Sequence, residues 1–117
     1  MFGEYFRTLR KNKNITQKQI AEAIGKTPML ISGIETGKNG PFSEEDLEIV
    51  SVVLNLDQNE KTDLMKEALK AKGKLPQHLL SYAVMHDEVF LLLETMAVKN
   101  LGKESLLRIL KIVEEDI

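Results

Sequence analysis

The feature that most constrains this chain is the spacing inside "TQKQIAEAIGKTPMLISGIETG", residues 16–37. Counted from Gln17 as the first position, Ile20, Ala21, Ile24, Gly25, Ile31 and Ile34 fall at positions 4, 5, 8, 9, 15 and 18. Thr16 and Thr27 each stand where a side-chain oxygen can accept from a free amide in the first turn of a helix. Pro28 suits the first position of the second helix, because its missing N–H costs little there. Gly25 can take the positive φ that ends the first helix and lets the chain turn sharply. Ala21 is small where two crossing helices approach most closely, and the isoleucines fill the angle between them. Two short helices crossing near perpendicular, joined by a tight turn, meet all of these requirements together.

Helical periodicity continues on both sides. Phe2, Tyr5 or Phe6, and Leu9 recur at helical spacing, so residues 2–12 read as an amphipathic first helix, broken by "KNKN". Gly37, then Gly40-Pro41, close the third helix and open a loop. Ser43 with Glu44, Glu45 and Asp46 starts a fourth helix running to about Leu54, its carboxylates facing the positive end of the helix dipole. Asp57 begins a fifth, through Leu64, Met65, Ala68 and Leu69, that fades at Lys72-Gly73. The Gly- and Pro-flanked "GKLP" predicts a linker at residues 73–76 between a domain of residues 1–72 and a helical region of residues 77–117. Three further apolar-rich stretches, near 76–84, 87–98 and 103–115, complete the pattern. With no period-two alternation of useful length, the expected class is all-α: five helices, then a three-helix C-terminal extension.

A net charge of −2 argues against nucleic acid only if it is spread evenly, and it is not. Residues 1–42 carry seven basic and three acidic side chains, whereas residues 43–73 carry four basic and eight acidic ones. The basic surplus therefore coincides with the paired-helix segment, where a phosphate-facing surface would be needed. There is no cysteine, no signal-peptide pattern, and no apolar run longer than Val89 to Leu93, far short of the roughly 20 residues of a membrane span. A cytoplasmic protein without membrane contact is the expectation. His78 and His86 lack a third ligand at useful spacing, and no nucleophile turn or Gly-rich phosphate loop occurs, so neither metal, cofactor nor enzymatic activity is expected. Phe2, Tyr5 and Phe6 suit a core better than a stacking platform for single strands.

The stretch "LRKNKNITQKQIAEAIGKTPMLISGIETGKNGP", with the helix after it, resembles the Cro and lambda-repressor-like, or xenobiotic-response-element, helix-turn-helix regulators over residues 2–70. The resemblance implies that the second helix of the motif lies in the major groove of duplex DNA, the first crosses the backbone, and dimers bind two half-sites about 34–36 Å apart. It further implies a phosphate contact for Gln17, groove-facing positions for Thr27, Pro28, Met29, Ser32, Gly33 and Thr36, and a structural ion pair between Arg10 and Glu35. Residues 74–117 resemble the helical tail of some phage-type and mobile-element regulators.

Two departures stand out. Lys26 occupies a turn position that is usually apolar. The groove face offers hydroxyls, a Met and a Gly where Gln, Arg or Asn would make bidentate contacts to adenine or guanine. What remains is hydroxyl hydrogen bonding, Met29 against a thymine methyl, close backbone approach at Gly33, and DNA shape. Phosphate candidates are Gln17 and Lys18, Thr27 with the amides that follow it, and Lys38 and Asn39. The alternative for Lys18 and Lys38 is an ordinary solvated surface charge.

"EVFLLLETMAV" and "ESLLRILKIV" are apolar around most of the helix circumference, which implies burial on more than one side. They either pack onto the fourth and fifth helices or form a two-fold interface through Val89, Phe90, Leu92, Leu93 and Met96 of one helix and Leu106, Ile109, Leu110 and Val113 of the next. The leading expectation is a homodimeric, sequence-specific, double-stranded-DNA-binding repressor. The alternative is an antitoxin or antirepressor-type interaction module that holds a protein partner with its C-terminal apolar helices.

Overall fold

The computed structural model describes residues 1–115. Among them are eight helices: α1 (Phe2–Asn12), α2 (Gln17–Ile24), α3 (Pro28–Thr36), α4 (Glu44–Val53), α5 (Gln58–Ala71), α6 (Gln77–Met85), α7 (Asp87–Val98) and α8 (Lys103–Glu115). No strand occurs among the described residues, and the protein is all-α. No helix among them is long and apolar enough to cross a membrane.

The starts of the helices are set by local chemistry. At α2 the Thr16 hydroxyl accepts from the Gln19 N–H at 3.1 Å, and the Gln19 side chain accepts from the Thr16 N–H at 2.8 Å. Asp57 and Glu60 repeat this reciprocal arrangement at α5, at 2.7 and 3.1 Å. Each pair satisfies two amides that have no partner within the helix. Thr27 and Ser43 cap α3 and α4 singly, accepting from Leu30 and Asp46 N–H groups at 3.2 Å. Gly25, at φ 69°, ends α2 in the left-handed region as its position in the spacing requires.

Three helices end on asparagine instead. Asn14, Asn55 and Asn100 take φ values of 58°, 52° and 51°, the region that Asn tolerates better than other side chains. After each, an amide reaches back across the last turn: Ile15 to the Arg10 carbonyl at 3.2 Å, Leu56 to Ser51 at 3.0 Å, and Leu101 to Met96 at 3.2 Å. The "KNKN" run therefore ends α1 through Asn14.

Residues 1–76 form one compact unit. In it α3 packs against both α1 and α2, α2 also against α4, and α5 against α1 and α4. Phe6, Ile20, Ile31, Leu47, Val50, Leu54 and Leu64 are fully buried at the centre. Phe6 rather than Tyr5 points into this core, and it meets the Phe42 ring edge-on with centroids 4.8 Å apart. Tyr5 lies half-covered toward α5, where burial raises its phenol pKa and the carboxylates of Asp63, Glu67 and Glu60 push the same way.

Gly3 is where α1 meets the end of α3. A Cβ built there would overlap the backbone carbonyls of Ile34 and Glu35, which cannot swing away as a flexible side chain would. The second unit begins at Gln77. Within it α6 packs on α7, and among its described residues Ala83 alone is buried.

Because the Gly3 clash is with backbone, Gly3→Ala is expected to destabilise the first unit by about 1–3 kcal/mol, in the range of other overpacked contacts. Urea unfolding followed by circular dichroism measures this, and a variant as stable as the parent would contradict the close α1–α3 approach.

Candidate nucleic-acid interface

The paired helices are locked from beneath by a buried ion pair. Arg10 on α1 grips Glu35 on α3 with two parallel hydrogen bonds, Nε to Oε2 at 2.7 Å and Nη2 to Oε1 at 3.0 Å. Both side chains are almost wholly covered, at 9% and 2% exposure. The remaining Arg10 nitrogen, Nη1, donates to the Ile15 carbonyl at 2.8 Å, and so holds the α1–α2 connection. Gln17, the first residue of α2, donates from Nε2 to Glu35 Oε1 at 3.1 Å. One carboxylate thus gathers α1, α2 and α3 around itself. One of the two Gln17 amide N–H groups is committed to it, so a phosphate contact by this amide has the other to use.

With Ile31, Ile34 and Glu35 directed inward, the opposite face of α3 is exposed. Met29 stands at 82% exposure, with Pro28 and Thr36 also exposed and Ser32 partly so. The Thr36 hydroxyl donates back to the Ser32 carbonyl at 3.0 Å, so it meets an outside group as an acceptor. The Thr27 hydroxyl is the converse: it accepts the Leu30 N–H and keeps its proton to donate.

Gly33 departs from expectation. By helical geometry its Cβ direction lies about 40° from that of Met29, on the outward face, yet the residue is buried. Asn39 is the cause: its backbone N–H donates to the Gly33 carbonyl at 3.0 Å, and its side chain lies across the Gly33 Cα. The Asn39 side chain therefore lies between the Gly33 Cα and anything that approaches this part of the helix face.

Cations frame the exposed face. Among the described residues no carboxylate lies within ion-pair distance of Lys11, Lys18, Lys26 or Lys38, whereas Lys13 and Lys61 are paired with Glu60 and Glu48 at 3.0 and 2.6 Å. Lys26 sits just past the turn, its N–H bonded to the Ala21 carbonyl at 2.9 Å and its side chain in solvent, so the turn closes without an apolar residue there. Where the end of α1 meets the starts of α2 and α3 lies an open depression of about 550 Å³, lined by Arg10, Lys11, Asn14, Ile15, Thr16, Gln17, Lys18 and Pro28. Lys11 and Asn14 are not reached by the spacing argument. The alternation of cation and amide in "KNKN" is the signal for them.

No cluster of three metal-ligating side chains occurs among the described residues. In the second unit, Phe90, Leu92, Leu93, Leu106, Leu110 and Val113 are exposed, while Val89, Met96 and Ile109 are partly covered. Fold and exposed face together define a helix-turn-helix head. Residues 1–64 match a family described as helix-turn-helix domain, and the chain belongs to that family. Such a domain points to a DNA-binding regulator. No curated protein and no solved structure matches the chain.

Removing one partner of the buried pair strands a charge, so Arg10→Met is expected to cost about 3–5 kcal/mol, while Arg10→Met with Glu35→Met recovers most of that loss. Comparing the urea midpoints of the two variants tests this, and equal losses would show that the pair is not coupled.

Proposed function

We propose that the protein is a homodimeric, sequence-specific regulator of the Cro and lambda-repressor-like kind, a repressor that occupies two half-sites of duplex DNA through α3. The observation that carries this reading is the outward face of α3, with Met29 at 82% exposure, beside lysines that no described carboxylate neutralises. A surface of that sign and shape fits a groove walled by phosphates. In this reading α3 enters the major groove by its N-terminal end. The Pro28, Met29, Ser32 and Thr36 side chains face base edges, while Gln17, Lys18, Lys38 and the first amides of α3 hold the phosphates. Repression follows from exclusion, since a duplex covered on one face is closed to other proteins that need it.

Dimerisation in this proposal runs through the second unit. A segment whose described residues include a single buried side chain, Ala83, and many exposed leucines has an apolar surface with no core of its own to fill. A two-fold copy would cover that surface and bring two heads to one duplex. The same surface also suits the second reading, an antitoxin or antirepressor-type module. A parent protein that sediments as a stable monomer would favour it.

Selection of bound duplexes from a random pool, at two salt concentrations, tests the main reading. Expected is enrichment of two related half-sites, with affinity falling steeply as salt rises. Lys38→Ala should weaken binding to all duplexes about equally and, by leaving one phosphate per head without its cation, lower the salt slope by about 1 for each head. Met29→Ala should instead alter base preference. If both changes act alike, the assigned roles are wrong. For the interface, Leu110→Asp is expected to yield monomers in sedimentation velocity and to weaken binding to a duplex with two half-sites much more than to one with a single half-site.

A further inference from the structure

The exposed face of α3 lacks the side chain that reads adenine or guanine, and the loop after α3 lays one across it. Gly33 points outward between Met29 and Thr36, yet the volume of a side chain at that position is already filled. A Cβ built on Gly33 would fall 3.0 Å from Cγ of Asn39 and 3.7 Å from its Cβ, and would overlap Nδ2. The carboxamide therefore occupies the place where a side chain of α3 would begin. It is held there through the backbone: the Asn39 N–H donates to the Gly33 carbonyl at 3.0 Å, so the loop is fastened to the last turn of the helix. Among the described residues no hydrogen bond engages the carboxamide itself, and Asn39 is exposed overall. Its acceptor has no partner among the described residues, and Nδ2, the atom set against Gly33, has its N–H groups unbonded.

We infer that Asn39 is a specificity-determining residue, which reads an adenine in the major groove by its carboxamide, in place of the side chain that Gly33 does not provide. This rests on the reading that α3 enters the major groove. The chemistry is the bidentate match of an amide to adenine, the acceptor taking the N6 proton and the donor meeting N7. A phosphate contact would use only the donor, and a loop amide aimed at the backbone has no need of a bare glycine beneath it. Gly33 is what lets the loop lie flat: any larger residue would displace the carboxamide from the face. The two positions act as one element, in which the helix gives up a side chain and the loop returns one with an amide edge.

The test uses the full chain. Duplexes selected from a random pool give the preferred site. Binding is then measured for the parent and for Asn39→Ala against that site and against duplexes in which each base pair is replaced in turn. Thermal melts confirm that the variants fold. The expected result is one A·T pair per half-site at which the parent discriminates by roughly ten- to a hundredfold and Asn39→Ala does not, all four base pairs there being bound within about twofold. Gly33→Ala, a better helix former that keeps Asn39 but displaces its carboxamide, is expected to lose discrimination at the same base pair. Asn39→Ala with every preference intact, whether through uniform weakening or no change, would overturn the inference and leave Asn39 a phosphate contact or a spectator. Retained preference in Gly33→Ala would overturn the link between the two residues. A parent that enriches no duplex would instead defeat the DNA-reading proposal itself, an outcome distinct from either.

Discussion

Everything on the exposed side of the first unit depends on a carboxylate that faces inward. Glu35 shares the helix of Met29 and Ser32 but lies on its opposite side, clasped by Arg10 at 2.7 and 3.0 Å and met by Gln17 at 3.1 Å. A charge buried this deeply is costly unless each of its acceptors is occupied. Turning α3 about its axis, or sliding it along α1, would break several of these bonds at once and leave the carboxylate uncompensated. Ile31 and Ile34 are buried on the same side of the helix, so a rotation would also uncover them. Apolar packing and the Arg10–Glu35–Gln17 network therefore act together to fix which face of α3 looks outward. Gly3 adds a limit on distance, because α1 can come no closer to α3 than a bare Cα allows.

The electrostatics follow a related division. On the side of α4 and α5, lysines meet carboxylates of the same chain: Lys13 with Glu60, Lys61 with Glu48. Such partly exposed pairs add little to stability. What they do is cancel charge locally, so that a protein of net charge −2 still carries uncancelled cations around α2 and α3. Acidic side chains facing Tyr5 from α5 extend the negative side. Under the proposed reading, repulsion of phosphates there and attraction on the other side would orient the head before any groove contact forms.

Helix limits and the class of the fold were legible in the sequence because they are written locally. Thr16, Thr27, Ser43 and Asp57 cap the helices that their positions announce, and Gly25 takes the positive φ its spacing requires. Features that depend on distant residues were not. Nothing near Gly3 in sequence reports the carbonyls of Ile34 and Glu35 above it. Tyr5 and Phe6 fit the helical period equally well, and only the position of α5 separates them. Gly33 is the clearest case: on the helix alone it is a gap, and its filling comes from Asn39, beyond the helix end. The second unit shows the same limit differently. Its apolar stripes are plain in "EVFLLLETMAV" and "ESLLRILKIV", but how far they are buried is not a local property of either stretch.

Magnitudes connect the two units under the proposed reading. Operator binding that competes with bulk DNA needs a gap of about 4–10 kcal/mol between specific and non-specific sites. One head of this kind has a single carboxamide contact, worth about 1–3 kcal/mol of discrimination, with a methyl contact from Met29 and hydroxyls of weaker preference beside it. That falls at or below the lower edge of the required gap. Two heads joined by a common interface add their discriminations on one duplex, and the second binds at the effective concentration set by its tether rather than at the concentration of the cell. The sparse chemistry of α3 and the uncovered leucines of α7 and α8 are thus two sides of one requirement. A head with few base contacts works as a selective reader when its partner is already at hand.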